Sequence, residues 1–368
     1  MLFLDIFGAV PDPRDFTAQH LLPEILFVAL AAVLCGAVNC TEMALFAEAR
    51  LDLLRRFIPL KHGAPSHDTF SRVLAALDPA AFNAAFMRFT AAFGEAARED
   101  VGKARHLAVD GKSLRRAYAK GSAHMPPLVV TVFGCDTFMS LAQTVAGAGG
   151  EAEAAIQALN LLSLKGLTVT ADALHCHRRM TRTIREAGGH YVLAIKGNQS
   201  ALATQANAAL DRAARNPKTR FHTTEEDGHG RHEMRRAFVV PFAQAPGRNV
   251  LVDLVAVARV ESWRTIDGKT THRARCYALS RRLPAEDLLA IVRRHWAIEN
   301  NLHWQLDVLL AEDLARNRKT NAAANLALLR RCALNTLRAD PQNIPLNHKR
   351  LKARWADQHL LNLFTHMR

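Results

Sequence analysis

Arg105–Lys112, RHLAVDGK, and Gly166–His175, GLTVTADALH, are two apolar, strand-like stretches that each run into an aspartate, Asp110 and Asp172, and what surrounds them decides the fold. Two more strand candidates follow the first, Pro126–Gly134 (PPLVVTVFG) and Phe138–Gly147 (FMSLAQTVAG), with polar or glycine-containing turns between them. That spacing predicts a β-meander. Glu151–Leu162 (EAEAAIQALNLL) then reads as a helix and Gly166–His175 as a strand. Cys176–Gly189 (CHRRMTRTIREAGG) reads as a helix with a glycine stop, and His190–Asn198 (HYVLAIKGN) as a strand. Such alternation is expected of a sheet covered by helices.

Three strands, a helix, a strand, a helix and a strand is the order of a ribonuclease H-like core, a mixed sheet flanked by helices. On its N-terminal side, Leu21 to about Phe93 carries apolar residues at spacings of three and four, which predicts an all-helical domain over 1–98. Ser66 or Asp68 is placed to cap one of its helices. A helix-turn-helix within Thr41–Leu77 and a purely structural helical pack both fit this region. On the C-terminal side, the alternating β-branched residues of RRAFVVPF, NVLVDLVAVARVE and HRARCYALS predict an inserted β region at about 216–282. Two helical stretches follow, Pro284–Arg316 and Asn321–Arg338. The expected catalytic domain is therefore 99–340, with 341–368 as a tail.

Lysine and arginine number 48 against 34 acids, for a formal charge of +14, which favours a polyanionic partner or an anionic surface. The longest apolar run, Ile25–Val38, is shorter than the roughly 20 residues of a spanning helix and is expected to be a buried one. The opening MLFLDIFGAVPDPRDF lacks the basic start and small-residue cleavage site of a secretory signal. Six cysteines lie scattered with no CxxC pair, which fits reduced thiols in a cytoplasm.

Acids at the ends of parallel strands emerge at one sheet edge, where chemistry is readily placed. A turn or capping aspartate is the simpler reading of either one alone. The long helix adds His295, Glu299, His303 and Asp307 at successive i, i+4 positions, beside a buried stripe of Ile298, Leu302, Leu306 and Leu310. Three carboxylates from separate segments can hold two divalent cations about 3.5 to 4 Å apart, as in-line phosphodiester chemistry requires. Hard oxygen ligands select Mg²⁺ or Mn²⁺. Asp110-Gly111-Lys112-Ser113 is not a nucleotide-binding loop, since the position five before Gly111 is His106 instead of glycine. The histidines and Cys176 have no standard zinc spacing.

With these residues in hand, the sequence closely resembles bacterial insertion-sequence transposases of the ISAs group, including the H-repeat-associated proteins linked to Rhs elements. The resemblance covers nearly the whole chain. It is carried by DPRDF, EILFVALAAVLCGA and PSHDTFSRVLAALDP in the N-terminal part and by AVDGKSLR, VTADALH, YVLAIKGNQ and HGRHEMR in the centre. RRHWAIENNLHWQLDVLLAEDLAR carries it at the C-terminal end.

The resemblance implies a ribonuclease H-like DDE domain with an inserted β region and Asp110, Asp172 and Glu299 as catalytic, metal-holding acids. In the related tyrosine, arginine, glutamate, lysine signature, His295 stands in the place of the arginine and Leu306 in that of the lysine. The change leaves Asp307 and Glu312 as rivals for the third acid. The implied reaction is hydrolysis at an element end followed by attack of the freed 3′-hydroxyl on target DNA. The implied partners are double-stranded DNA, as terminal inverted repeats and target, and further copies of the chain, in a bacterial cytoplasm at the nucleoid and with no membrane. Expected DNA contacts are Lys112, Arg115, Arg116, Lys196, Asn198, Gln199, Arg231, Arg235, His295 and His303, with Arg236 extending the track. Ordinary surface charge is the competing account of the basic residues. A nuclease that cuts without joining and a non-catalytic DNA-binding relic are the rival functions.

Overall fold

The computed structural model describes residues 2–96, 105–117, 126–228, 230–247 and 250–365, so the expected boundary at 98 falls outside the described residues. Six helices come first: α1 (Leu2–Gly8), α2 (Leu22–Leu34), α3 (Cys40–Ala49), α4 (Leu51–Leu54), α5 (His67–Ala76) and α6 (Pro79–Ala96). Strands β1 (His106–Ser113), β2 (Leu128–Gly134) and β3 (Ser140–Val145) follow. Next are α7 (Gly150–Asn160), β4 (Thr168–Ala171), α8 (Arg178–Glu186), β5 (His190–Ile195) and α9 (Ser200–Ala214). Four more strands, β6 (His222–Gly228), β7 (Arg231–Pro241), β8 (Ala256–Ile266) and β9 (Lys269–Leu279), lead to α10 (Ala285–His295). After a π-helical turn at Ile298–His303 come α11 (Trp304–Val308), α12 (Ala322–Ala339), α13 (Leu346–Trp355) and α14 (Asp357–Thr365).

The strands form one nine-stranded sheet in the order β3-β2-β1-β4-β5-β9-β8-β7-β6. β4 runs parallel to β1 and to β5, while β2–β3 and every pairing from β5–β9 to β7–β6 is antiparallel. The first five strands have the ribonuclease H-like order expected from the sequence, and β6–β9 are the inserted β region. β6, which no apolar alternation announced, is held by pairing with β7 from His222↔Ala237 to Gly228↔Arg231.

One compact unit comprises Met1–Lys103, Gly111–Ala154 and Glu299–Arg368. Its centre is α12, buried along its whole length from Ala322 to Leu337 and packed against α2, α5, α6 and β3. A helix that is apolar nearly all round, such as α2 (LPEILFVALAAVL), is stable in water only when surrounded. α2 is accordingly buried at every residue from Glu24 to Leu34, as the short apolar run predicted. Aromatic contacts tie this core to both chain ends, with Phe27 at 5.5 Å from Phe3 and 4.7 Å from Phe364. Ser66 caps α5 by accepting the Thr69 N–H.

The second unit comprises Ala104–Asp110 and Ala155–Ile298. β1 from His106 to Val109, β4 throughout and most of β5 are buried, the pattern of a parallel sheet covered on both faces. The long antiparallel strands β7–β9 take α9 and α10 as cover, with Leu288, Leu289 and Val292 of α10 packed on Ala237, Ala258, Val260 and Tyr277. Asp267 and Gly268, with φ of 48° and 73°, make the two-residue β8–β9 turn, a conformation that favours this Asp-Gly pair. Among the described residues no helix is long and apolar enough to cross a membrane.

Candidate active site

In the second unit, Val109 pairs with Ala171 across parallel β1 and β4, which brings Asp110 beside Asp172 one residue further on; Asp172 lies just past the end of β4, but Asp110 does not end its strand, since β1 continues to Ser113. Adjacent strands lie about 4.8 Å apart, so the two carboxylates share one sheet edge through backbone geometry alone. Asp172 also caps the short turn Ala173–His175, its Oδ1 accepting the Leu174 N–H at 2.9 Å. Its side chain stays half exposed. Asn198 steadies the same turn by donating its amide to the Ala173 carbonyl at 2.7 Å.

Beneath these acids a single hydroxyl joins three elements. Thr170 Oγ1 lies 2.8 Å from His106 Nε2, 2.9 Å from His295 Nδ1 and 3.2 Å from the Leu107 carbonyl oxygen, to which it donates. Burial, reinforced by the neighbouring His295 and Arg294, pushes His106 down to about 3, so its ring is neutral. His295, expected at DNA, thus spends Nδ1 on β4, two residues before Asp172.

In the first unit, Glu299 sits in the π-helical turn with a half-exposed side chain, and His303 Nδ1 lies 3.5 Å from its Oε2 with the imidazole largely buried. The expected straight stripe of four polar residues is interrupted. A π turn widens the helix, and the stretch resumes as the short α11. The apolar stripe holds, with Ile298, Leu302 and Leu306 fully buried.

Lys112, expected at phosphates, is buried and bound to Asp307 Oδ1 at 2.8 Å and Asp313 Oδ1 at 2.9 Å. Burial raises the Asp307 carboxyl above its usual range, and Lys112 partly opposes the shift. Glu312 and Arg331 form a 2.9 Å pair with both side chains fully buried. Both rivals of Glu299 are therefore committed, Asp307 to Lys112 and Glu312 to Arg331. Glu151, not singled out in the sequence, packs on Gly111, where an added Cβ would stand 2.7 Å from its Oε1. Its position in the first turn of α7 is ordinary helix-start chemistry and conceals that approach.

The other expected DNA contacts are dispersed. Arg115, Arg116 and Lys196 are exposed, with Arg115 3.5 Å from Asp313, and Gln199 is half-buried. On β7, Arg231 pairs with Glu233 at 3.2 Å, Arg235 with Glu226 at 3.2 Å and also with Glu233, and Arg236 with Glu261 at 2.7 Å. Those arginine charges are offset by neighbouring acids.

Residues 102–336 match the family described as Transposase DDE domain, and residues 4–90 match the one described as DDE_Tnp_1-associated. An uncharacterized protein in the dhlA 3′ region of Xanthobacter autotrophicus is 39% identical over 284 residues, covering 74% of this chain and 92% of its own length. The H repeat-associated transposase candidate YhhI of Escherichia coli K12 is 30% identical over 344 residues, covering 90% and 89%. Among solved structures, a piggyBac transposase synaptic complex with hairpin DNA aligns with a TM-score of 0.44 and 10% identity, over 100% of this chain and 75% of that one.

Proposed function

The chain belongs to the DDE transposase family, and from that premise we propose that Asp110, Asp172 and Glu299 are the acids with which it cuts and rejoins DNA. It is a DNA transposase, an enzyme of phosphodiester chemistry, and its family uses divalent metals. The observation that carries the assignment is the pairing of Val109 with Ala171, which sets two carboxylates side by side on a rigid edge. We take Glu299 as the third acid because its side chain is half exposed, whereas that of Glu312 is fully buried against Arg331 and Asp307 binds the buried Lys112.

The donor set fits a hard divalent cation, since all three groups are carboxylates and those of Asp172 and Glu299 are half exposed. Mg²⁺ or Mn²⁺ held by these acids would supply Lewis-acid stabilisation of charge on the phosphate oxygens. The protein's own part is positioning. The Leu174 N–H and the Asn198 amide hold the turn that carries Asp172. His303 braces Glu299 from a largely buried ring. Exposed Arg115, Arg116 and Lys196 are suited to DNA phosphates. We assign the substrate as the terminal inverted repeats of an insertion element together with target DNA, handled by an oligomer in the bacterial cytoplasm at the nucleoid.

The test is a donor-and-target assay with Asp110→Ala, Asp172→Ala and Glu299→Ala, in Mg²⁺ and in Mn²⁺. Each variant is expected to lose cutting and joining by at least about a thousandfold, on the scale of losing a principal electrostatic stabiliser, while still binding DNA. Retained cutting in any one variant removes that acid from the site. Cutting by the unaltered protein without joined product would make it a nuclease only.

A further inference from the structure

The arginines that drew attention in the sequence of the inserted region lie on β7, and there they are engaged by Glu226, Glu233 and Glu261. Arg264 on β8 also pairs with Glu233, at 3.2 Å. Glu226 also pairs with Arg293 of α10, and Glu261 lies 3.7 Å from His272 of β9, on the face opposite Arg273 and Arg275. β9 differs. From Gly268 to Leu279 it carries no acid, and its seven residues Lys269–Arg275 are all exposed. Lys269 and Arg273 have no ion pair among the described residues, and Arg275 lies over the Trp296 ring at 4.8 Å, a contact that keeps its charge.

The strand has an open edge as well. β5 pairs with β9 from Cys276 to Leu279, so among the described residues Lys269–Arg275 pair with β8 on one side alone. Alternate peptide N–H groups of such an edge point away from the sheet. Because side chains alternate, Lys269, Arg273 and Arg275 share one face, and Arg273 and Arg275 are about 6.8 Å apart along the strand. That is about twice the ~3.4 Å axial spacing of charges on one DNA strand. On the opposite face His272 stacks on Trp263 at 4.6 Å, and Arg236 lies 5.3 Å from the same indole, which stiffens the strand from behind.

We propose that this outer stretch of β9, Lys269–Arg275, is a DNA-backbone docking surface, with Lys269, Arg273 and Arg275 neutralising phosphates and the free edge offering peptide N–H donors. The proposal rests on the chain being a DNA transposase and locates a contact surface that the motifs did not reveal. DNA is favoured over a second copy of the chain because two such edges would set like charges against each other.

The test measures DNA affinity against salt in Asp110→Ala protein, which holds its DNA uncut. Each phosphate contact contributes about 0.9 to the slope of log affinity against log salt, so Lys269→Gln/Arg273→Gln/Arg275→Gln is expected to lower that slope by about 2.7. The loss should be the same on element-end and unrelated duplexes, because phosphate contacts carry no sequence information. Lys269→Gln/Arg273→Lys/Arg275→Lys, which keeps two of the three charges, should restore two-thirds of the lost slope when compared with the triple variant, and a thermal melt checks that every variant folds. An unchanged slope in the folded triple variant overturns the proposal. So does a loss confined to the element-end duplex, or a change in sedimentation of the DNA-free protein, which would make the edge a protein interface. Should Asp110→Ala protein still cut DNA, the catalytic assignment fails by a separate readout and the slope comparison stands.

Discussion

The pair formed by Glu312 and Arg331 offers a sharp quantitative test of how the first unit is held together. Both side chains are fully buried and 2.9 Å apart, and Arg331 also donates to Thr131 Oγ1 at 3.1 Å and the Ala327 carbonyl at 3.0 Å. Arg331→Met keeps most of the side-chain volume but strands the Glu312 carboxylate in the core. Removing one partner of a buried ion pair costs about 3–5 kcal/mol, which corresponds to roughly two to four orders of magnitude in the ratio of folded to unfolded protein. Glu312→Leu should cost a similar amount by stranding the guanidinium. The double variant Arg331→Met/Glu312→Leu removes both charges together and should cost only about 0–2 kcal/mol, the remainder being the orphaned Thr131 hydroxyl. Urea unfolding followed by tryptophan fluorescence gives all four corners of the cycle. If the double variant is as unstable as the sum of the singles, the pair is not a desolvated unit and the reasoning is wrong. The folded double variant also bears on chemistry, because metal-dependent cutting by it would remove Glu312 from contention as the third acid.

Two further predictions concern His106 in the second unit and Gly111 in the first. His106 is held near 3 in the folded chain against 6.5 when unfolded, so below pH 6.5 the unfolded chain gains a proton that the folded one refuses. Stability should therefore be complete above pH 6.5 and fall at up to about 1.4 kcal/mol per pH unit toward pH 3. His106→Gln should lack that component, and parallel slopes for the two proteins from pH 6.5 to 4.5 would contradict the assignment. Gly111→Ala should force the Glu151 side chain aside and cost about 1–3 kcal/mol, as overpacking does, with most of it recovered in Gly111→Ala/Glu151→Ala. Equal destabilisation in the single and double variants would show that Glu151 is not the obstacle.

What the sequence disclosed and what it hid divide along local and distant causes. RHLAVD and LTVTAD read correctly as strands because a parallel strand covered on both faces needs an uninterrupted apolar run, which is a local property. Pro284–Arg316 read as one helix because it contains no glycine or internal proline. In the fold it breaks into α10, a π turn, α11 and a short 3-10 turn, with Ala311 in the left-handed region at φ 51°. Contacts with remote residues accompany the break, His295 with Thr170 and Asp307 with Lys112, and no window of sequence contains them. Lys112 looked like surface charge after an acid for the same reason, since its partners lie about 200 residues away. The two arginines of α12 are buried, Arg330 donating to the Leu310 and Val38 carbonyls and Arg331 to Glu312.

These differences bear on how the three acids are held. Asp110 lies within β1, and Asp172 follows directly on the last paired residue of β4, in a turn held by the Leu174 N–H and the Asn198 amide. Glu299 depends on a π-helical turn, a less favourable geometry than an α-helix and one often kept at functional sites. Its orientation rests on side chains: the buried stripe of Ile298, Leu302 and Leu306 below it and His303 beside it. Substitutions around Asp110 and Asp172 should therefore act mainly through stability, whereas substitutions around Glu299 should change activity at little cost in folding. The changed signature residues follow this division. His295 braces β4 through Thr170, and Lys112 of β1 is the cation bound to Asp307 of α11.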